Sequence, residues 1–571
     1  MLGRRRRKRG EQGFDCARRA HRGICADDPL GSLALATPDR ADWWKHAVFY
    51  QIYPRSYLDS NGDGIGDLKG IEARLDYIAG LGVDAIWLSP IFTSPMKDFG
   101  YDVSAYRGID PIFGTLEDFD AVLAGAHARG LKLIIDQVWS HTSDRHAWFL
   151  ESAASADGDK ADWYVWADAK PDGTAPNNWM AVFGGPSWTW HPRRRQYYLH
   201  NFLVEQPDLN FWNPAVQDAI LDVARFWLDR GVDGFRLDVI NFLFHDQTLT
   251  DNPPAGLARP PAQATDFQRH VHDRSQPQTL AFLGRLRALI DSYGDRMTIG
   301  EIGDADMLGR QIEYTATATR LQTAYSFFFL TARDPTPALF AEAMQAWAKA
   351  AGWPSWSLSN HDFMRFPSRL AHSGQVGQVK GLLALLLALR GTPFLYQGDE
   401  LGLPHAEVPF ERLQDPFAKA IYTGDSGRDG ERTPMPWTSE APNGGFSSAA
   451  ETWLPVDPRH LPLAAAAQEG DPDSMLNFTR TVLALRRTSP ALQAGEVRLL
   501  EAGPGVLAFE RSLGGERVLC AFELSGQAGH LHHPEMANSQ AFVLIGGAVV
   551  AETGIELAPF AFAWIRLGAR E

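Results

Sequence analysis

The stretch LKLIIDQV, residues 131–138, sets the pattern of most of this 571-residue chain. It is a short, continuous apolar run that carries a carboxylate, Asp136, near its end. A strand without alternation of polar and apolar residues is typical of a parallel sheet that has helices on both faces. The segment before it supports this interpretation, because Thr115 and Asp118 form a capping-box-like start to a helix that ends near Gly130.

Seven further runs of the same kind are spaced so that a helix fits between most of them. They are VFYQIYP (48–54), DAIWLSP (84–90), GFRLDVI (234–240), RMTIGEI (296–302), AYSFFFL (324–330), PSWSLSN (354–360) and TPFLYQG (392–398). Most of the runs are followed by a plausible helix. Eight such units predict an α/β fold, namely a (β/α)8 TIM barrel.

Two other segments depart from this pattern. Residues 142–207 hold many Trp, Pro, Gly and Asn residues and little periodicity, which predicts an inserted subdomain after strand 3, over the mouth of the barrel. Near the C-terminus, GVLAFERSLGGERVLCAFEL has two strand-like runs joined at Gly514–Gly515. We therefore expect 492–571 to form an antiparallel β domain. The catalytic barrel would comprise 43–141 and 208–491.

The first 42 residues differ from the rest of the chain. Segment 1–42 contains the basic run Arg4–Arg9 and no apolar stretch long enough for a secretory signal. We expect a disordered leader or a start assigned too early, with a nucleic-acid-binding arm as the alternative. Cys16 and Cys25 lie in this leader and Cys520 is alone in the remainder, so a disulfide framework is excluded. A reducing, cytoplasmic location is the expectation that follows.

Composition restricts the classes of partner. The chain carries 54 Lys and Arg residues against 69 Asp and Glu residues, a formal net charge of −15. This balance disfavours nucleic acid and anionic membrane surfaces as partners of the main body. No stretch reaches the roughly 18 apolar residues of a membrane span. We expect small-molecule substrates and a monomer or homodimer.

Polar side chains stand where the predicted strands end, which is the catalytic face of such a barrel. They are Asp136 and His141 after the third run, Arg236 and Asp238 in the fourth, Glu301 in the fifth, and Asn360, His361 and Asp362 after the seventh. A single acid at such a position is often a helix cap or an ion-pair partner. Three carboxylates on three strands, each following an apolar run and flanked by Arg or His, instead indicate glycoside hydrolysis.

A retaining glycosidase needs two carboxyl groups about 5 to 5.5 Å apart, one as nucleophile and one as acid and then base. Glu301 lies between apolar neighbours, which favours the protonated form that an acid requires. Asp238 has Arg236 beside it, which favours the ionised form of a nucleophile. Asp362 would be a third carboxylate that holds substrate hydroxyls and helps to distort the sugar ring.

These residues lie in segments that resemble a known family. DQVWSH (136–141), GFRLDVI (234–240), IGEI (299–302) and SNHD (359–362) resemble the four motif regions of the α-amylase superfamily, glycoside hydrolase family 13. QPDLN (206–210) is similar to the fifth motif of its oligo-1,6-glucosidase and α-glucosidase branch. PMKDFGYDVS (95–104), SHTSDRHAWF (140–149) and DWYVWADAKPDGTAPNNW (162–179) resemble bacterial α-glucosidases with transglucosylating ability. The resemblance covers roughly 43–571.

The family resemblance implies roles for nine residues. Asp238 would be the nucleophile, Glu301 the acid/base and Asp362 the transition-state stabiliser. The residues implied to hold the non-reducing glucosyl unit are Asp102, His141, Arg236, His361 and Arg428, with Tyr101 stacking against it. Arg432 lies close to Arg428 in the sequence and is the alternative for that position. No organic cofactor is implied.

Two positions depart from the family pattern. Ser140 stands where many α-amylases have an Asn that binds calcium, so we expect the amylase-type calcium site to be missing. Val239 follows the proposed nucleophile. In this branch Val is similar to enzymes that cleave α-1,6 bonds, whereas Thr or Ala accompanies α-1,4 preference, which leaves the linkage open.

The loop DSNGDGIGD, from Asp59 to Asp67, resembles the first half of an EF-hand loop. The predicted ligands of one structural divalent cation, Ca²⁺ or Mg²⁺, are the side chains of Asp59, Asn61, Asp63 and Asp67 and the carbonyl of Ile65. A Gly- and Asp-rich turn without an ion is the alternative. The resemblance supports the ion, because the oligo-1,6-glucosidase branch carries a structural cation in the loop after strand 1.

The sequence thus predicts a retaining exo-α-glucosidase that releases terminal α-linked glucose from short oligosaccharides such as maltose, with transglucosylation. Oligo-1,6-glucosidase is the alternative that Val239 supports. Sucrose isomerase and trehalose synthase share the scaffold and stay open. A non-catalytic barrel, as in the heavy subunits of amino-acid transporters, would have lost its acids and gained a membrane anchor, and neither is seen in the sequence.

Overall fold

The structure is a computed structural model. It describes residues 42–257, 261, 263–371, 374–420, 426–440, 442–536, 540–551 and 553–568. The predicted leader, 1–42, lies outside the described residues except for Asp42. The described residues all belong to one compact unit.

Eight parallel strands form the centre of the molecule. The first to eighth barrel strands are Phe49–Ile52, Ala85–Leu88, Lys132–Gln137, Gly234–Leu237, Met297–Ile302, Thr323–Ser326, Ser355–Ser357 and Thr392–Tyr396. Neighbours in the chain are neighbours in the sheet, and the first strand also pairs in parallel with the eighth. A parallel bridge between Ala324 and Pro354 joins the sixth strand to the seventh. The predicted TIM barrel is therefore confirmed.

Each of the eight predicted runs contributes a barrel strand, and the strands are mostly shorter than the runs. The first run, for example, extends through Pro54, but the strand ends at Ile52. Pro54 begins a 3-10 turn, Pro54–Ser56, because proline has no backbone N–H to donate to the sheet. Alternate residues of a strand face opposite sides. The inner side is packed by Phe49, Trp87, Ile134, Ile299 and Phe394, which belong to one buried cluster.

Helices surround the strands. Those of eight or more residues are Leu116–Ala128, Ala147–Ala154, Pro214–Asp229, Gln278–Asp291, Met307–Thr315, Pro337–Trp347, Val376–Ala388 and Met475–Arg487. The shorter ones are Trp43–His46, Leu68–Ala73, Leu75–Leu81, Phe366–Arg369, Pro416–Ala420, Asp429–Arg432, Ala465–Glu469 and Pro490–Ala494. The capping box predicted at Thr115 is present, with Asp118 as the reciprocal partner.

Three further sheets lie outside the barrel strands in the described part of the chain. After the second barrel strand, Phe92–Thr93 pairs antiparallel with Ala105–Ile109. Between the third and fourth barrel strands, Trp166–Ala167, Trp188–His191 and Gln196–Leu199 form a three-stranded sheet. After the eighth, an antiparallel sheet contains Glu496–Leu499, Val506–Leu513, Glu516–Glu523, Gly529–His532, Gln540–Ala551 and Gly554–Leu567. The hairpin predicted at Gly514–Gly515 joins the second and third of these strands. The exact domain boundaries stay predictions.

Within the described residues, no helix combines the length and the apolar character that would let it cross a membrane.

Candidate active site

The predicted site residues converge at the C-terminal ends of the barrel strands. Asp136 lies two positions after Ile134, and Glu301 lies two positions after Ile299, so both carboxylates point to the same side as the inner core. Asp238 directly follows the fourth strand. All three carboxylates meet the guanidinium of Arg236, which is fully buried.

Arg236 connects these three carboxylates through two of its nitrogens. Its Nη1 lies 2.9 Å from Asp136 Oδ1 and 2.7 Å from Asp238 Oδ1. Its Nη2 lies 2.7 Å from Glu301 Oε1. A guanidinium donates in fixed directions and stays charged, so it sets the relative positions of the three acids. Burial is compensated here by ion pairing, which is the condition under which a buried charge is tolerated.

Of the carboxyl groups that meet Arg236, Glu301 has the highest pKa. Burial raises the pKa of Glu301 to about 8, and the charges of Asp238 and Asp362 add to this effect against the opposing charge of Arg236. Its Oε2 accepts a hydrogen bond from the backbone N–H of Val239 at 3.1 Å. A carboxyl group with such a pKa is protonated at neutral pH, as a general acid must be.

The other two carboxylates differ in their surroundings. Burial raises the pKa of Asp238, and Arg236 at 2.7 Å opposes that effect by favouring the ionised form. Burial would also raise the pKa of Asp362, but His361, Arg432 and Arg428 outweigh it and hold the pKa below its usual range. Asp362 is therefore ionised at neutral pH beside two arginines.

His361 is held in one tautomer by its neighbours. The side-chain amide of Gln51 lies 2.8 Å from His361 Nδ1, and an amide nitrogen can only donate. The ring proton is thus assigned to Nε2, which lies 2.6 Å from Tyr101 Oη and 3.1 Å from Asp362 Oδ2. Burial lowers the pKa of His361 to about 3, so the ring is neutral. The hydroxyl of Tyr101 donates a hydrogen bond to Asp136 Oδ2 at 3.0 Å, and its ring stacks on His361.

Arg428 and Arg432 both contact Asp362. Arg432 Nη2 lies 2.7 Å and Arg428 Nη1 3.4 Å from Asp362 Oδ1. Arg428 also lies 2.9 Å from Asp98 and 2.7 Å from Asp415. The structure therefore brings both candidates to the site. Arg432 is nearer to Asp362, and Arg428 also forms an ion pair with Asp98 of the segment DFGYD (98–102).

Asp102 and His141 are both buried, and their hydrogen-bond partners differ. Asp102 is fully buried, and its oxygens accept hydrogen bonds from Ser94 Oγ and from the backbone N–H groups of Lys97 and Asp98. It braces the loop that presents Asp98. His141 is 1% exposed, and its Nε2 lies 3.0 Å from the carbonyl of Tyr101. Burial lowers the pKa of His141 to about 4, which leaves a neutral ring.

Val239 has an unusual backbone. Its φ of 34° and ψ of 49° place it in the left-handed region, which is strained for a β-branched residue. This conformation turns the chain directly after Asp238 and aims the N–H of Val239 at Glu301. Residue 239 thus contacts the acid through its backbone, in addition to any contact that its side chain makes with substrate.

In the predicted metal loop, Asp59–Asp67, carboxylate oxygens accept hydrogen bonds from the backbone of the loop itself. Asp59 Oδ1 accepts hydrogen bonds from the N–H groups of Asn61 and Gly62, and its Oδ2 accepts one from Gly64. Asp67 caps the helix that begins at Leu68. In the described part of the chain, no three His, Cys, Asp or Glu side chains converge as a metal site. The oxygen donors of the loop suit a hard cation chemically.

Asp98 and Tyr325 contact the site, and the sequence analysis assigned neither of them a role there. DFGYD contains two aspartates, and only the fold shows that Asp98 meets Arg428 whereas Asp102 points into the loop. Tyr325 lies in the predicted sixth strand, but its neighbour Glu301 is 24 positions away in the chain. The register between the fifth and sixth strands, which no local pattern gives, brings them together.

Comparison with known protein families agrees with this geometry. The model of the α-amylase catalytic domain matches residues 51–495, and that of the maltogenic amylase C-terminal domain matches 497–564. The first match covers the second to eighth barrel strands in full, the end of the first, and every residue of the carboxylate group around Arg236.

The chain is also similar to individual proteins over most of its length. The chain is 53% identical to a protein of Rhizobium meliloti (strain 1021) named "Probable alpha-glucosidase", over 87% of this chain and 91% of that one. It is 38% identical to an oligo-1,6-glucosidase of Parageobacillus thermoglucosidasius, over 84% and 89%. The crystal structure of an α-glucosyl transfer enzyme superposes with a TM-score of 0.87 at 49% identity, over 92% and 99%. The chain belongs to the α-amylase family of glycoside hydrolases, family 13.

Proposed function

We propose that this protein is a retaining exo-α-glucosidase that releases terminal α-linked glucose from short oligosaccharides such as maltose. The observation that carries the proposal is the arrangement of Asp238 and Glu301 on adjacent nitrogens of Arg236. One guanidinium holds the two carboxyl groups close together, as a retaining mechanism requires. Their surroundings differ in the required sense, because burial raises the pKa of Glu301 to about 8, above that of Asp238, which accepts a hydrogen bond from Arg236.

In the first step, an oxygen of Asp238 forms a bond to the anomeric carbon while the bond from that carbon to the glycosidic oxygen breaks. Asp238 Oδ1 accepts from Arg236, which leaves Oδ2 as the attacking oxygen. Glu301 gives its proton to the departing oxygen, so the aglycone leaves as a neutral alcohol. The products are a glucosyl ester of Asp238 and an ionised Glu301.

In the second step, Glu301 takes a proton from a water molecule. The oxygen of that water attacks the anomeric carbon, and the ester bond to Asp238 breaks. Glucose leaves with its original α configuration, and both acids return to their starting forms. A sugar hydroxyl in place of water gives transglucosylation by the same bond changes. Asp362, ionised beside His361, Arg428 and Arg432, would bind the hydroxyls of the distorted ring.

Exo action is proposed from the contacts around Arg428. Its ion pair with Asp98 joins the segment after the second barrel strand to the segment after the eighth. Such a bridge would close the pocket beyond the terminal glucosyl unit, and the insertion proposed at 142–207 would cover it. We assign the remaining substrate contacts to Tyr101, Asp102, His141 and His361, with Asp102 acting through the loop.

Oligo-1,6-glucosidase is the second candidate. Val239 supports it, because its side chain follows the nucleophile and its position is fixed by a strained backbone. One relative in the comparison also has that name. Sucrose isomerase and trehalose synthase differ in product, because they return a rearranged disaccharide rather than free glucose.

We also propose one structural Ca²⁺ or Mg²⁺ in the loop Asp59–Asp67. Side-chain oxygens of Asp59, Asn61 and Asp63 and the carbonyl of Ile65 would hold it together with Asp67, which joins the loop to the following helix. The ion would stabilise the loop and takes no part in the chemical steps. No organic cofactor is needed by those steps.

The proposed setting is a cytoplasmic monomer or homodimer with a barrel (43–141 and 208–491), an inserted subdomain (142–207) and a C-terminal β domain (492–571). Size-exclusion chromatography with light scattering would measure the oligomeric state, and fractionation of the host cell the location.

A chromatographic and NMR time course tests the function, with maltose, isomaltose and sucrose offered separately to the purified protein. Release of α-glucose, fastest from maltose, is the expected result. Faster release from isomaltose would transfer the protein to the second candidate. β-Glucose as the first product, or a rearranged disaccharide without free glucose, would contradict both.

A further inference from the structure

A buried tyrosine, Tyr325, contacts both the proposed acid and the arginine beneath it. It lies on the sixth barrel strand directly opposite Glu301 of the fifth in the parallel register. Tyr325 is 3% exposed, and the steps described above do not use it. Its hydroxyl oxygen lies 3.1 Å from Glu301 Oε1 and 2.7 Å from Arg236 Nη2.

The direction of the Tyr325 proton follows from its neighbours. Arg236 also approaches the hydroxyl with Nε, at 3.1 Å, and a guanidinium can only donate. The oxygen of Tyr325 therefore accepts from Arg236, and its single proton is left for Glu301 Oε1. The hydroxyl of Tyr325 therefore cannot rotate freely, because two nitrogens of Arg236 donate to its oxygen and the carboxyl group of Glu301 accepts its proton.

The two oxygens of Glu301 are consequently unequal. Oε1 accepts a hydrogen bond from Tyr325 and forms an ion pair with Arg236 Nη2, which lies 2.7 Å away. Oε2 accepts the N–H of Val239 at 3.1 Å and keeps its second lone pair. A proton on Oε1 would compete with the buried Tyr325 donor and lie against the positive charge of Arg236, whereas a proton on Oε2 meets neither. The geometry thus favours Oε2 as the protonated oxygen.

We propose that Tyr325 is a positioning residue for the acid: by occupying Oε1 of Glu301, its hydroxyl keeps the transferable proton on Oε2. The proposal rests on the proposed function, because it assigns the proton that Glu301 transfers. The strained backbone of Val239 supports it, since the left-handed turn after Asp238 is what brings a donor to Oε2 and fixes the plane of the carboxyl group.

The effect of losing the Tyr325 hydroxyl should depend on whether the leaving group of the substrate needs a proton. A sugar alkoxide is a poor leaving group, so cleavage of maltose depends on a correctly placed proton. A dinitrophenolate leaves without protonation, so formation of the glucosyl-enzyme from a 2,4-dinitrophenyl α-glucoside does not depend on that proton. Loss of the Tyr325 hydroxyl should therefore slow one reaction and spare the other. A change in the nucleophile or in the overall fold would slow both.

The test compares Tyr325→Phe with wild type on maltose and on 2,4-dinitrophenyl α-glucoside. We expect kcat/KM for maltose to fall about 10- to 100-fold, part of the 10²- to 10⁴-fold that general acid catalysis supplies, and kcat/KM for the aryl glucoside to stay within about threefold. The matched control is Tyr50→Phe. It removes an equally buried tyrosine hydroxyl, which donates to Glu400 at 2.8 Å and lies outside the carboxylate group around Arg236. Both rates should stay near wild type in the control.

An equal fall for both substrates in Tyr325→Phe, or no fall for either, would overturn the proposal. The readout is a ratio of two rates from one sample, so it does not depend on the fraction of molecules that fold. Failure of the proposed function would look different. Wild-type protein would then release no α-glucose from either substrate, whatever residue stands at position 325.

Discussion

Arg428 Nη2 lies 2.9 Å from Oδ1 of Asp98, a carboxylate outside the site that the sequence predicted. Asp98 is buried and Arg428 is partly buried, and Arg428 also contacts Asp415 and the proposed transition-state stabiliser Asp362. Burial raises the pKa of Asp98, while the charge of Arg428 opposes it. A carboxylate in this position can accept from sugar hydroxyls at the closed end of the pocket.

We expect Asp98→Asn to lower kcat/KM for maltose about 10- to 100-fold, the equivalent of about 1.5–3 kcal/mol for a hydrogen bond to a charged group. Asp102→Asn is the matched comparison. Its oxygens accept three hydrogen bonds within the loop, so it should lower Tm by several degrees. Steady-state kinetics and thermal unfolding of both variants check this. A kcat/KM for Asp98→Asn within about threefold of wild type would contradict the assignment.

Much of this arrangement could be predicted from the sequence, because it depends on local patterns. Continuous apolar runs indicate buried parallel strands, and Asp136, Asp238 and Glu301 follow from their positions at the ends of such runs. The capping box at Thr115 is equally local. Each of these needs only the spacing of residues within a few positions.

The rest depends on register and on loop geometry. The pairing of Glu301 with Tyr325 results from the alignment of two strands, and that of Asp98 with Arg428 from two loops 330 positions apart in the chain. The left-handed backbone of Val239 could not be predicted either, because a β-branched residue disfavours that conformation. Surrounding contacts impose it, and they form only in the complete barrel.

Asp238→Asn should reduce the turnover of maltose by several orders of magnitude and leave the protein folded. The amide cannot form the glucosyl ester, whereas Arg236 keeps two of its partners, Asp136 and Glu301. Kinetics and thermal unfolding check both parts. Trapping wild type with a slowly hydrolysed fluoroglucoside, followed by peptide mass spectrometry, should locate the sugar on Asp238. Full activity of the variant would disprove the mechanism.

Val239→Thr should shift preference from α-1,6 toward α-1,4 bonds by about 1–3 kcal/mol, the scale of a methyl-sized change in a pocket. Val and Thr have the same shape and the same β-branching, so the left-handed backbone and its N–H to Glu301 are retained. The ratio of kcat/KM for isomaltose and maltose measures the effect. An unchanged ratio would show that the side chain at position 239 does not determine linkage.

Removal of divalent cations by a chelator should lower Tm by several degrees if the loop Asp59–Asp67 holds an ion, and added Ca²⁺ or Mg²⁺ should restore it. A ligand at 100 times its Kd stabilises by about 2.7 kcal/mol. Asp63→Ala should abolish the response, because Asp63 is exposed and has no other structural role than a hydrogen bond to Ile65 N–H. Asp159→Ala, an exposed acid elsewhere, is the control. Elemental analysis that finds no bound metal would exclude the ion.

Asp208 should make the stability of the protein depend on pH. Burial raises the pKa of Asp208 to about 8, from 3.8 for an ordinary aspartate. Between these values the folded state keeps a proton that the unfolded state has lost, so the free energy of unfolding falls as pH rises, by at most about 1.4 kcal/mol per unit.

Asn stays neutral in both states, and Asp208→Asn should flatten the fall of Tm between pH 5 and 8. Asp246→Asn is the control, because side-chain and backbone hydrogen bonds outweigh burial and lower the pKa of Asp246, so it stays ionised over that range. Equal pH slopes in wild type and Asp208→Asn would show that Asp208 is ionised in the folded protein.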